Sequence, residues 1–199
     1  MPTDTSEKSL ESLIVDHLVD LGGYELGHPA GFDPNYALDL PNLLRFLEIT
    51  QPTTFAQLAL GDAGPKRSQF FARLQGEITK EGVIHVLRKG VHHGPAHVDL
   101  FYGTPSQSNP KAALLFNQNI FSVTRQLHYS KDEKRLSLDL CIFLNGLPIL
   151  TFELKNSLTR QTVDDAIKQY KKDRDARELI FQFGRCIANF AIDDQEVWF

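Results

Sequence analysis

The sequence predicts an α/β fold: a mostly helical first part, residues 1–118, leads into a sheet-forming core, residues 119–199. Three observations carry this. Apolar residues recur at helical spacing in several stretches before residue 118. Three β-rich runs then follow, "IFSVTRQLHY", "RLSLDLCIFL" and "LPILTFELKN", separated by short polar turns. Finally, "QTVDDAIKQYKKDRD" returns to helical spacing before two further short strands, "IANFAID" and "EVWF". At 199 residues the chain has the length of one large domain and is read as a single one, 1–199.

Taken in order, residues 6–21 read as an amphipathic helix, with Leu10, Leu13, Ile14, Leu18 and Leu21 on one stripe and Gly22-Gly23 ending it. The stretch "GGYELGHPAGFDPNYALDLP" reads as a loop. Short helices are expected after Pro41 and Pro52, because proline suits the first helical turn. A longer helix should run from Pro65 to Glu81, with Gly82 past its end. "HVDLFYG" reads as a strand. "NPKAALLFNQN" reads as a helix capped by Asn109, with Pro110 at its first position. In the last helix Val163, Ala166, Ile167 and Tyr170 share a stripe, and Thr162 with Asp165 resembles a capping box. The sequence stops on Trp198-Phe199 within an apparent strand, which suggests a piece of a longer protein.

Several classes are disfavoured by composition. A net charge of −4 argues against a protein that coats nucleic acid indiscriminately. The charge is uneven, however: residues 125–185 hold 12 Lys and Arg against 9 Asp and Glu, so a local basic field around 155–177 is available for backbone contacts. Nothing approaches the roughly 20 apolar residues of a membrane helix. The polar N-terminus "MPTDTSEKSLES" lacks the layout of a signal peptide. Cys141 and Cys186 lie in apolar stretches and read as reduced core thiols. The expected compartment is the cytoplasm.

The candidate chemistry sits on the hairpin "RLSLDLCIFLNGLPILTFELKN". One face of the first strand carries Ser137, Asp139, Cys141 and Phe143, and the other carries only leucine and isoleucine. The second strand puts Thr151, Glu153 and Lys155 opposite Leu150, Phe152 and Leu154. Register decides whether the acids meet. A two-residue Asn145-Gly146 turn pairs 139 with 152 and separates them. A three-residue loop, 144–146, with Gly146 left-handed, brings Asp139 and Glu153 onto one face, and the apolar pattern selects this odd-numbered loop. Both acids and Lys155 are then expected on the surface opposite the core. Two carboxylates about 4–7 Å apart repel each other unless a cation joins them. Mg²⁺ fits such a pair, since it takes few carboxylates, keeps waters and binds phosphate oxygens. A neighbouring lysine can orient the attacking water and stabilise charge on phosphorus. An ordinary solvated strand also alternates in this way, and a Glu-x-Lys triplet arises about once by chance in such a chain. Aspartate within "SLDLCIFL" is less ordinary, because Asp is poor in strands.

This hairpin resembles the nuclease core of the restriction (R, or HsdR) subunit of type I restriction-modification enzymes. The likeness extends through "SEKSLESLIVDHLVDLGGYELG", "GVIHVLRKGV", "NIFSVTRQLHYS", "QTVDDAIKQYKKDRDARELIFQFGR" and "FAIDDQEVWF". The resemblance implies the PD-(D/E)xK, restriction-endonuclease-like fold, a central mixed β-sheet flanked by helices. It implies Mg²⁺-dependent hydrolysis of double-stranded DNA, the activity of a type I site-specific deoxyribonuclease. By this likeness Asp139 and Glu153 match the metal-binding acids, Lys155 the catalytic lysine and Gln169 the first residue of the Gln-x-x-x-Tyr motif. Glu11 matches an acidic position that often approaches the metal. The family's full subunit adds an ATP-driven translocase and joins methylation and specificity subunits. No Gly-x-x-x-x-Gly-Lys-Ser/Thr phosphate loop is present here, and "GDAGPKRS" does not match one.

Two positions depart from the family pattern. Leu138 stands where many relatives carry proline, and Asp173 stands at the tyrosine of the glutamine motif. Tyr170, the nearest tyrosine, lies about 100° away on the buried stripe, while Gln169 and Asp173 share a face at i and i+4. Other readings remain open. A catalytically idle DNA- or subunit-docking module fits the same fold, since fold does not guarantee activity. The basic residues of "DDAIKQYKKDRDAR" read equally as a solvated face. "HHGPAH", with His92, His93 and His97, reads as a loop rather than a zinc site, because Gly94-Pro95 forbids helical ligand spacing.

Overall fold

The β-rich runs pair into a mixed six-stranded sheet, with the helical first part packed against it, in a computed structural model that describes residues 7–106, 108–155 and 162–199. Ser6, where the first helix is expected to begin, and Asn156, of the Glu-x-Lys-Asn string, lie outside these. Helix α1 (Glu7–Asp20) leads into strand β1 (Glu25–Leu26) and the small hairpin β2 (Phe32–Asp33) and β3 (Leu38–Asp39). The glycine- and proline-rich stretch read as a loop therefore contributes three short strands. Helices α2 (Leu40–Thr50), α3 (Pro52–Gln57), α4 (Pro65–Glu81) and α5 (Val83–Lys89) follow. Each of the first three has proline in its first turn, and Asp39 caps α2 by accepting from the Asn42 N–H at 3.2 Å.

Strands β4 (Val91–His93) and β5 (Ala96–Val98) form a hairpin, and α6 (Pro110–Phe116) carries the expected Asn109 cap. The strand expected over "HVDLFYG" stops at Val98. Beyond it, side chains satisfy the backbone: Gln51 bonds both the N–H and the carbonyl of Asp99, and Asn119 does the same for Tyr102. No ladder is needed there.

Strands β6 (Phe121–His128), β7 (Ser137–Leu144) and β8 (Leu147–Leu154) form an antiparallel meander. Helix α7 (Val163–Lys168), β9 (Ala188–Ile192) and β10 (Val197–Trp198) complete the described elements. Strand order is β1-β6-β7-β8-β9-β10, with β1 parallel to β6 and β9 parallel to β8. Thr162 and Asp165 form the expected capping box at α7. The helix expected across 162–175 is shorter than that: from Gln169 to Asp173 it widens into a π-helical turn.

The hairpin closes differently from expectation. Asn145 and Gly146, at φ 51° and 82°, make a two-residue turn that pairs Leu144 with Leu147. Positive φ at both positions suits the twist of the flanking strands. A bulge then corrects the register: Phe143 faces Pro148, but Ile142 faces Leu150. Ile149 is the extra residue, and its carbonyl accepts from the Ile187 N–H at 2.8 Å, next to the start of β9. The one-residue insertion returns Asp139 and Glu153 to one face, as the apolar pattern required, by a different device.

One apolar cluster runs from Leu43, Phe46, Phe70, Leu74 and Val86 in the helices to Val123, Leu140, Ile142 and Leu154 in the sheet. A second gathers Phe32, Tyr129, Cys141, Phe143 and Ile180, with Tyr170, Phe181 and Cys186 against it. The sheet face expected at the surface is thus roofed by the chain that connects β8 to β9. Leu136 and Leu138 join this second cluster rather than the first. In α1, Val15 is buried with Ile14, Leu18 and Val19 against the core, while Leu13 and Leu21 are exposed. The buried stripe is rotated from the expected one and includes Glu11.

Candidate active site

The β7–β8 register brings the two hairpin acids side by side. Leu140 faces Phe152, so the next step along the same ladder sets Asp139 beside Glu153. Asp139 reaches across the strands, and its Oδ2 accepts from the Leu154 N–H at 2.7 Å. Glu153, 1% exposed, lies beneath the roofing chain. Its Oε1 accepts from both Nε (2.8 Å) and Nη2 of Arg174, which follows the π-helical turn. Arg174 is itself held by the Tyr129 hydroxyl (Nη1, 2.8 Å) and the Ser137 carbonyl (Nη2, 2.7 Å), and it sits over the Tyr129 ring.

Glu11 also arrives at this site. Gln126 Nε2 donates to Glu11 Oε2 at 2.8 Å and to Asp139 Oδ1 at 3.3 Å, while Gln126 Oε1 accepts from the Ser137 hydroxyl. Arg125 lies 3.6 Å from the other Glu11 oxygen. Gln126 adopts φ 47° in the middle of β6, a backbone region that non-glycine residues seldom occupy and that concentrates at functional sites. Lys155, half-buried at the end of β8, holds its backbone N–H on the Ile192 carbonyl at 2.8 Å. Its charge is near enough to act on Glu153 and Asp165.

The glutamine motif is arranged differently from an α-helical i, i+4 pair. In the wider turn the Arg174 N–H bonds the Gln169 carbonyl five residues back, at 3.0 Å. Gln169 is half-buried, with no side-chain hydrogen bond among the described residues, and Asp173 is exposed. Tyr170 turns to the sheet as its stripe predicted, and its hydroxyl meets Thr151 Oγ1 at 2.9 Å. From this helix it is therefore Arg174, four residues after Tyr170, that engages an acid.

Burial dominates the electrostatics. It pushes the Glu153 carboxyl up to about 7, against the pull of the Arg174 and Lys155 charges and with help from Asp139. Burial likewise raises the phenols of Tyr129 and Tyr170. Among the described residues, no group of three or more His, Cys, Asp or Glu side chains is gathered to hold an ion. The donors that do meet here are carboxylate oxygens. Arg174 occupies only Oε1 of Glu153, and half-buried Asp139 borders exposed Gln126. A pair of hard oxygen donors, one buried and one bordering solvent, suits Mg²⁺, which takes few carboxylates and completes its shell with water.

Arg174, Gln126, Arg125 and Tyr129 were not singled out from the sequence. For Arg174 a signal existed: it follows the buried Tyr170 by four residues and so tends toward the same side of its helix. For Gln126 there was none, since its role depends on an unusual backbone angle. His92 and His97 pair across the β4–β5 hairpin, with His97 Nε2 3.2 Å from Asp99 Oδ1. They lie on a two-stranded ribbon rather than in the expected loop.

Among curated proteins, none matches the chain. The family model described as the type I restriction enzyme R protein N terminus matches residues 4–199. With that match across almost the whole sequence, and the hairpin acids adjacent in a mixed sheet, the chain belongs to the family of type I restriction enzyme R protein N termini.

Proposed function

We propose that the chain is the Mg²⁺-dependent endonuclease domain that hydrolyses DNA phosphodiester bonds as the cutting module of a type I restriction-modification enzyme. What carries the proposal is the adjacency of Asp139 and Glu153 across β7 and β8, with Lys155 two residues beyond Glu153, just past the end of β8. Asp139 and Glu153 would hold the ion, with Glu11 contributing through the Gln126 bridge. The bound ion supplies Lewis-acid stabilisation of phosphoryl oxygens and a more acidic water. Lys155 orients the attacking water and stabilises the charge growing on the phosphate. Water oxygen bonds to phosphorus, the bond to the leaving oxygen breaks, and the water proton passes to solvent while the leaving oxygen is protonated. Gln169 serves as a polar group beside the site. Lys168, Lys171 and Lys172, exposed on the same connection, supply positive charge for the DNA backbone. Residues 1–199 act as one unit; ATP-driven translocation and the methylation and specificity subunits belong to the larger assembly.

A second reading has its own observation. Glu153 is sealed from solvent and paired with Arg174, as suits a nuclease-like module that only docks DNA or another subunit. Calorimetric titration of Mn²⁺ separates the two. The endonuclease reading expects binding by the wild-type chain and its loss in Asp139→Ala and Glu153→Ala. In the assembled enzyme both changes should abolish cutting and spare translocation. Lys155→Ala should keep Mn²⁺ and lose cutting. A wild-type chain that takes no Mn²⁺ favours the docking module, and near wild-type cleavage by Lys155→Ala returns that lysine to an ordinary surface role worth at most about 1 kcal/mol.

A further inference from the structure

We propose that Arg174 is a fixed positioning residue of the site, which orients Glu153 toward the ion and stays in place when the ion binds. This rests on the metal-dependent reading above. Two roles are open to a guanidinium against an acid of this kind. It can be a stand-in cation that leaves when the metal arrives, or a permanent clamp that sets the geometry of the carboxylate.

The contacts favour the clamp. Both nitrogens that reach Glu153, Nε and Nη2, fall on Oε1, and Oε2 takes no hydrogen bond among the described residues. One oxygen is thus fastened by the guanidinium, while among the described residues the other carries no hydrogen bond. The guanidinium does not depend on Glu153 alone, because the Tyr129 hydroxyl and the Ser137 carbonyl also hold it and the Tyr129 ring lies 5.2 Å from its centre. Its side chain is 5% exposed, so departure would strand a buried carboxylate, a phenol and a carbonyl together. Asp139 is treated in the same way: Oδ2 is fixed by the Leu154 N–H, and Oδ1 takes only the longer Gln126 contact. Each acid is anchored by one oxygen and presents the other. The π-helical turn matters here, because its wider path sets Tyr170 against Thr151 and still delivers Arg174 to Glu153.

Clamp and stand-in predict opposite signs for metal affinity. A displaced cation competes with the metal, so removing it should tighten binding; a clamp lost should loosen it, even though a positive charge has gone. Lysine keeps the charge but cannot fork onto Oε1 while also serving Tyr129 and Ser137. Mn²⁺ affinity of the chain, measured by calorimetry well below each variant's unfolding midpoint, provides the test. Arg174→Lys and Arg174→Ala are expected to bind at least about tenfold more weakly than wild type, the scale seen when a partner orienting a metal ligand is lost. Equal or tighter binding by folded Arg174→Lys overturns the inference and leaves the metal reading standing. No binding by the wild-type chain overturns the metal reading itself. Should neither Arg174 variant fold, Tyr129→Phe removes one anchor while leaving the guanidinium in place; a severalfold weakening supports the clamp and unchanged affinity overturns it.

Discussion

At the scale of the residue, Glu153 combines two demands that seldom coincide: a carboxylate is kept under a roof of side chains, yet it must be ready to ionise. Burial raises its folded pKa from 4.5 to about 7. Between those values the folded chain holds a proton that the unfolded chain has released. Stability contributed by Glu153 is therefore full below about pH 4.5, falls as pH rises toward 7 and is flat above. The span corresponds to about 3 kcal/mol. Glu153→Gln, which still accepts from Arg174, should flatten this part of the pH profile measured by urea unfolding. A profile as steep as that of wild type would mean that another group titrates there. Asp139 and Glu153 could be paired from the sequence because strand alternation is local, with period two. The Arg174 contact spans 21 residues and the Gln126–Glu11 contact 115, and no pattern within one element encodes either.

At the scale of the element, the β7–β8 turn shows how one local choice can be replaced by two. The apolar pattern demanded an odd number of loop residues between the strands. The Asn145-Gly146 pair favours an even one, and the bulge at Ile149 makes up the difference. The turn is also a docking point. Asn145 is fully buried, accepting from the Ile120 N–H at 2.6 Å and donating to the Leu100 carbonyl at 2.9 Å, while the Gly146 carbonyl accepts from the Asp39 N–H at the start of α2. A Cβ on Gly146 would stand 2.4 Å from the Asp39 carbonyl oxygen and 2.7 Å from Leu43 Cβ. Gly146→Ala therefore meets backbone and a positive φ together. It should cost roughly 2–4 kcal/mol of unfolding free energy. A loss below about 1 kcal/mol would show that α2 can retreat from the hairpin without penalty.

At the scale of the whole molecule, the roof over the site is tied to the helical part by Arg185. This guanidinium is 1% exposed, and its Nη2 donates to the Tyr36 and Ala37 carbonyls between β2 and β3. Among the described residues its Nε and Nη1 have no hydrogen-bond partner, and burial draws its pKa down to about 10. The cost of burying a charge so incompletely paired offsets much of what its two hydrogen bonds contribute. Its volume is the clearer contribution. Arg185→Ala should lose about 2–4 kcal/mol by opening a cavity, whereas Arg185→Met, which refills the space without the charge, should recover most of that loss. Equal losses in urea unfolding of the two variants would locate the stability in the carbonyl contacts instead. Elsewhere no helix among the described residues is long and apolar enough to cross a membrane.

By itself the sequence determined a helical first part followed by the three runs that became β6, β7 and β8, the caps at Asn109 and Thr162, the extent of α4 and the common face of Asp139 and Glu153. All of these follow from neighbours a few residues apart, through helical spacing, strand alternation and the preferences of proline, glycine and asparagine. Only the tertiary structure decided that the acidic face is covered, that α1 turns Glu11 rather than Leu13 inward, and that Arg174 instead of a motif tyrosine meets Glu153. The covered acidic face and the Arg174 contact depend on how the β8–β9 connection lies back across the sheet, and the Glu11 contact on how α1 packs on β6. Once the connection is there, a carboxylate that alternation alone left at a surface is removed from water and needs a guanidinium beside it.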